Sequence, residues 1–137
     1  MSLNILSVFD SDEAIDWLST ALAGHQLTKV KTIMAAMQVL QKDKIDVTLI
    51  QLHLHNESLF DLLRSIRRND YYREMSFICC ATSHSAHQSQ IESEQFLEKS
   101  CILLGATKFL PMADFYSDNL EQEILKTLTS SGSRSGT

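Results

Sequence analysis

Ile45-Asp46-Val47-Thr48-Leu49-Ile50-Gln51-Leu52-His53-Leu54 is the stretch from which the fold is read. Its front half is a continuous apolar run rich in β-branched residues. Lys42-Asp43-Lys44 bounds it before and His55-Asn56-Glu57 after. Such a run predicts a strand covered on both faces, as in the middle of a parallel sheet. In an open α/β sheet, ligands bind outside the carboxyl ends of the strands, near the topological switch point. This strand delivers Gln51 to that crevice, a neutral amide where a carboxylate could do chemistry.

The strand sits in a chain of 137 residues, enough for one domain with a core of ordinary size. Hydrophobic residues make up 44% and charged residues 21%, with one Pro and four Gly, a globular composition. A formal charge of −5 gives no electrostatic reason to expect nucleic acid or an anionic membrane as partner. No apolar run approaches the ~20 residues that span a bilayer. No basic segment leads into an apolar one at the start, so the chain reads as cytosolic. Cys79 and Cys80 are adjacent inside an apolar run and Cys101 stands apart, which is neither disulfide-framework nor zinc spacing. They read as small buried hydrophobes.

Outward from the central strand, the chain alternates. Asn4 to Phe9 is a short apolar strand, and Ser11 or Asp12 can cap the helix marked by Ile15, Leu18 and Leu22, with Gly24 at its stop. Gln26 to Lys31 is a weak, edge-like strand. Met34, Met37 and Leu40 mark a second helix, with Ile33, Ala36 and Val39 widening its apolar face. Beyond the central strand, Ser58 and Asp61 form a capping-box pattern. Leu59, Leu62, Leu63 and Ile66 then stripe a third helix ending in Arg64, Arg67 and Arg68, a cluster read as a solvated helix end. Tyr71-Tyr72 reads as a partly buried loop anchor. Ser76 to Ala81 is a fourth strand. A polar stretch follows until Ile91, Phe96, Leu97 and Leu103-Leu104 establish a fourth helix, ended by Gly105. Thr107 to Leu110 is a fifth strand, with Pro111 after it, and Leu120, Ile124 and Leu128 mark a last helix. Residues 1–129 form the domain; Ser130 to Thr137, rich in Ser and Gly, reads as a flexible linker or tail. Five strands alternating with five helices imply an α/β fold: a doubly wound parallel sheet in three layers, with flavodoxin-like order 2-1-3-4-5 the common choice at this size.

With the elements placed, the residues resemble the receiver (CheY-like) domain of bacterial two-component response regulators. Ile45 to Leu54 followed by Phe60-Asp61-Leu62-Leu63-Arg64-Ser65-Ile66-Arg67 is similar to that family's third strand and helix. Gly105-Ala106-Thr107-Lys108-Phe109-Leu110-Pro111-Met112 looks like its glycine-alanine turn and fifth strand, and Asn4 to Asp10 like its first strand. The likeness covers residues 3–129. It implies a strand-three carboxylate that takes a phosphoryl group, two acids after strand one for Mg²⁺, a Ser/Thr after strand four and a Lys after strand five. Carboxylate nucleophile, metal and ammonium together offset the charge on the phosphoryl oxygens.

Against that pattern the chain departs at most positions. Gln51 stands at the acceptor position and Phe9 at the first acidic one, leaving Asp10, with Asp12 one residue into the next turn as a residual acid. Asp10 with a Gln51 carbonyl is a thin Mg²⁺ site, so no cofactor is expected. Ala81 takes the hydroxyl position if Ser76 starts strand four, and Thr82 takes it after a one-residue shift. Met112 replaces the lysine, Ala113 follows it, and Phe109 holds the aromatic switch position. The segment from Ala81 to Gly105 is longer than the family's usual one, with the surplus around Ser83 to Gln90.

The resemblance therefore implies a degenerate pseudo-receiver. It would be no enzyme but a phosphorylation-independent protein-interaction domain in a bacterial two-component-type pathway. Its partners would be a signalling protein or fused output domain, with a homodimer formed through the fourth helix, Phe109 and the fifth helix, and neither nucleic acid nor membrane. A second reading is a receiver-like domain switched by a small ligand or metal at Asp10, Gln51 and His53. His53 and His55 point the same way on an extended backbone and, with Asp10, His84 or His87, outline a transition-metal candidate beside the plainer reading of solvated histidines. A small flavodoxin-like enzyme is a third reading. No glycine-rich phosphate loop and no nucleophile elbow supports it.

Overall fold

A computed structural model describes residues 2–51, 59–68, 75–81, 98–103, 105–111 and 115–135, with backbone alone for 59–61 and 129–135. The elements run β1 (Asn4–Val8), α1 (Asp12–Ala21), β2 (Gln26–Val30), α2 (Ile33–Lys42), β3 (Val47–Gln51), α3 (Leu59–Arg68), β4 (Ser76–Cys80), α4 (98–103), β5 (Lys108–Leu110) and α5 (Leu120–Ser135). The strands form one parallel sheet in the order β2-β1-β3-β4-β5, the order that is the common doubly wound choice at this size. All five residues of β3 and of β4 are buried, whereas β2 at the edge is mostly exposed or half-buried. The continuous apolar runs thus lie where both faces of the sheet are covered.

Alternation along each strand splits the core into two layers. Leu6, Val8, Ile50, Phe77, Cys79 and Phe109 pack against α2, α3 and α4 through Ala36, Leu40, Leu62, Leu63, Ile66 and Cys101. Ile5, Phe9, Val47, Leu49, Ile78, Cys80 and Leu110 pack on the other face against Ala14 and Leu18 of α1 and Leu120 and Ile124 of α5. Each fully buried Leu or Ile contributes about 1.5–3 kcal/mol relative to exposure. Shifting a strand by one residue would exchange its two sets of neighbours, so both layers hold the register.

Local signals set the helix starts. Ser11 is the N-cap of α1, its hydroxyl accepting from Ala14 N–H at 3.3 Å, and Thr32 caps α2 through Ala35 N–H at 3.1 Å. The end of α1 differs from expectation. The helix closes at Leu22, whose N–H donates to the Leu18 carbonyl, and Gly24 lies in the turn beyond without a left-handed conformation.

Met34 and Arg67 lie otherwise than expected. Met34 lies outside the α2 stripe, 72% exposed, because the buried face runs through Ile33, Ala36, Met37 and Leu40 and position 34 falls on the opposite side. Helix α5 continues to Ser135, into the stretch 130–137 that its composition marks as a linker or tail. A helix already nucleated over Leu120–Leu128 extends at the small cost of propagation, which Ser and one Gly raise without forbidding. Arg67, finally, is no solvated helix end. Its guanidinium donates to the Gly105 carbonyl (2.7 Å), the Met75 carbonyl (3.3 Å) and Thr107 Oγ1 (3.4 Å), while Arg64 and Arg68 are exposed. Burial lowers its pKa, yet a guanidinium stays charged. It ties the end of α3 to the start of β4 and to the turn before β5.

No helix among the described residues is long and apolar enough to cross a membrane. Ser58, the Asp61 side chain, Tyr71, Tyr72 and residues 83–97 lie outside the described residues.

Candidate functional site

β1 and β3 pair with Val8 opposite Ile50, which places Phe9 and Asp10 beside Gln51 at the carboxyl end of the sheet. Gln51 is 7% exposed, and its amide is used at both ends. Its Oε1 accepts from Asp10 N–H (3.1 Å) and Ser11 N–H (3.3 Å), and its Nε2 donates to Asp10 Oδ1 (2.7 Å). Reversing the amide would set oxygen against carboxylate and N–H against N–H, so the surroundings dictate its orientation. Both N–H donors belong to the chain entering α1, where an acceptor also suits the positive end of the helix. Gln51 thereby stitches the β1–α1 connection to β3.

Phe9, at the first acidic position of the resemblance, turns the other way. It is fully buried and stacks on Phe115, with centroids 5.5 Å apart and planes at 24°. The Phe115 carbonyl accepts from Trp17 Nε1 at 2.8 Å, and Tyr116 meets Phe115 edge-on. Phe9 thus belongs to an aromatic lock between α1 and the segment before α5 and brings no second carboxylate to Asp10 and Gln51. Asp12 lies on the surface with its side chain 86% exposed, 3.3 Å from Lys31 Nζ, and does not face Gln51. Ser76 does begin β4, so Ala81 is the residue that follows the strand; it is buried, and its N–H donates to the Leu110 carbonyl. Phe109 is 6% exposed and packs inward with the layer of α2, α3 and α4. His53, His55, His84, His87, Thr82, Met112 and Ala113 lie outside the described residues.

The site can be tested for the divalent cation that receiver chemistry requires. Mg²⁺ wants near-octahedral oxygen ligands, usually with one or two carboxylates. Here one carboxylate, Asp10, already accepts from the Gln51 NH₂, and the Gln51 oxygen is turned toward two backbone N–H donors. A cation between Asp10 and Gln51 would meet an N–H donor on one side. The described residues do not fit that ion, nor do they include a cluster of three or more His, Cys, Asp or Glu side chains.

Two positioning residues escaped the sequence reading. Arg67 is one; nothing in the spacing separates it from its cationic neighbours. His25 is the other, its side chain 4% exposed. Its Nδ1 accepts from Leu3 N–H (3.0 Å) while Nε2 lies 2.7 Å from Glu121 Oε2. That pairing requires the proton on Nε2 and ties α5 to the opposite end of the sheet.

A five-stranded parallel sheet in the order 2-1-3-4-5, with its crevice over β1 and β3, is the fold of response-regulator receiver domains. The chain is similar to the signal receiver domain of a protein described as a Luxo repressor from Vibrio parahaemolyticus, at 21% identity and a TM-score of 0.76, covering 98% of this chain and 96% of that one. It is similar too to the chemotaxis response regulator CheY4 of Vibrio cholerae, at 19% identity and a TM-score of 0.73, covering 93% and 99%. NtrX from Brucella abortus aligns at 18% identity and a TM-score of 0.80, covering 99% of this chain and 29% of that longer one. No protein-family model matches the sequence, and no curated protein sequence does so either. At these identities the likeness is one of fold.

Proposed function

We propose that this chain is a receiver-type signalling domain that works without phosphoryl transfer, as a protein-interaction module in a bacterial two-component-type pathway. The observation that carries the reading is the closed Asp10–Gln51 contact. The nucleophile position holds an amide, and that amide donates to the carboxylate that would otherwise hold a metal. An amide cannot form an acyl phosphate, and a donor in the cation's place holds the loop in one arrangement with no ion to come and go.

In this reading the contact surface is built from α4, β5 and α5. Ile102 and Leu103 of α4 are 45% and 86% exposed, and Lys108 of β5 pairs with Glu123 of α5. A second copy of the chain, a signalling protein or a fused output domain would dock there, in the cytosol. The test is incubation with acetyl phosphate and Mg²⁺ followed by intact mass measurement. Unchanged mass is expected; an added phosphoryl group mapped to this crevice would overturn the proposal.

A further inference from the structure

Helix α2 differs from the other described helices in what it shows to solvent. From Ile33 to Gln41 it carries no charged residue, and only Lys42 closes it with one. Helices α1, α3, α4 and α5 all place charged side chains within a similar length. Ala36 and Leu40 of α2 point into the core, and Ile33, Met37 and Val39 are half-buried against it. Met34, Gln38 and Gln41, at i, i+4 and i+7, form the outward line, with Met34 72% exposed. The two ends, by contrast, carry both signs. Lys31 stands just before the cap and lies 3.3 Å from Asp12, both exposed. Lys42, Asp43 and Lys44, all exposed, stand at the other end.

We propose that α2 forms a weak two-fold dimer, lying antiparallel on the α2 of a second copy. Two copies with a formal charge of −5 repel at most approaches, and the outer line of α2 lets them meet without setting acid against acid. In an isologous contact a residue at the axis faces its own copy. Gln38, in the middle of the line, suits that place, because a carboxamide both donates and accepts and so can hydrogen-bond its twin. Met34 of each copy then covers the aliphatic stem of Gln41 of the other. Antiparallel pairing brings Lys42 and Lys44 of one copy toward Asp12 of the other, and Asp43 toward Lys31. A parallel pair would set lysine against lysine at both ends and align the helix dipoles like with like. These exposed charges fix direction more than they add affinity. Ten residues of helix span about 15 Å, so the contact belongs to the small, transient class of interfaces. Helix α2 lies over β1 and β2, with β5 at the far edge of the sheet, and the dimer leaves the surface of α4, β5 and α5 open to another partner.

The test is sedimentation equilibrium of the whole chain from micromolar to millimolar concentration. The apparent mass should rise from one chain toward two. Gln38→Glu and Gln38→Lys should each hold the chain monomeric, by setting like charges together at the axis, while melting as the parent does. Mixed in equal amounts, the two variants should recover the dimer as a heterodimer, a result that a merely misfolded variant would not give. Leu103→Lys, on the exposed face of α4, should leave the dimer intact. A single-chain mass at every concentration would overturn the proposal. So would a dimer that both Gln38 variants retain, variants that fail to pair when mixed, or a dimer lost in Leu103→Lys, which would place the contact on α4.

Discussion

Replacing one carboxylate oxygen by NH₂ turns an acceptor into a donor while leaving the outline of the side chain nearly the same. At position 51 that exchange decides what Asp10 can do. The 2.7 Å contact between Nε2 and Oδ1 needs a donor, and with a second carboxylate it would set two acceptors and two charges together. Gln51→Glu keeps the shape and the acceptor for Asp10 and Ser11 N–H but loses the donor. It is expected to cost about 1–3 kcal/mol at neutral pH. The introduced carboxyl, held beside Asp10, would have a pKa above its unfolded value. The native state then binds more protons than the unfolded one, so the deficit grows as pH rises through that value and shrinks in acid. Denaturation followed by the fluorescence of Trp17, the single tryptophan, measures it; a deficit unchanged between neutral and acid pH would refute the contact.

Among the elements, the turn between α4 and β5 depends on one glycine and one arginine. Gly105 has φ of 113°, and a Cβ there would sit 2.5 Å from Arg67 Cγ. Gly105→Ala is therefore expected to lose about 1–3 kcal/mol through backbone strain and the clash together. Arg67→Ala removes the donors to the Gly105 and Met75 carbonyls and should cost a similar amount, about 1–3 kcal/mol. The double variant should lose less than the sum, because removing the arginine also removes the clash, and urea titrations of the three variants give the coupling. Additive losses would show that the two positions act apart.

The pair between β5 and α5 has a pH signature. The hydrogen bond and charge of Lys108 hold the Glu123 carboxyl below its ordinary value of 4.5. A depressed native pKa means the unfolded chain binds more protons there in acid. The pair's contribution is thus present above about pH 4.5 and lost as pH falls through the native value. Lys108→Met should accordingly melt below the parent at neutral pH, with the difference closing in acid, as thermal scans across that range would record. A gap of constant size would remove the ion pair as its cause.

For the molecule as a whole, a ligand that binds only the folded form raises the melting temperature by mass action. The described residues at the sheet's carboxyl edge offer Mg²⁺ a donor facing Asp10, so millimolar Mg²⁺ and a chelator should give the same melting curve. A saturable rise with Mg²⁺ would contradict the account of the site. The whole-molecule fold was legible from the sequence because it rests on repeated signals: apolar runs at Ile45–Ile50 and Ser76–Ala81, helical stripes between them, and the forced handedness of parallel crossovers. The exposure of position 34 was not legible, because a stripe read from three hydrophobes does not define its centre.

The sequence by itself determined that the chain is α/β, that β3 is central, and that an amide stands at its carboxyl end. These are properties of single residues and of local periodicity. Only the tertiary structure decided what that amide touches, that Phe9 stacks on Phe115, that Arg67 braces the turn at Gly105, and that Cys79 and Cys80 enter opposite layers of the core. Each of these joins residues distant in sequence, or separates two adjacent ones onto opposite faces of the sheet. Such contacts follow from the packing of elements, which no local pattern encodes.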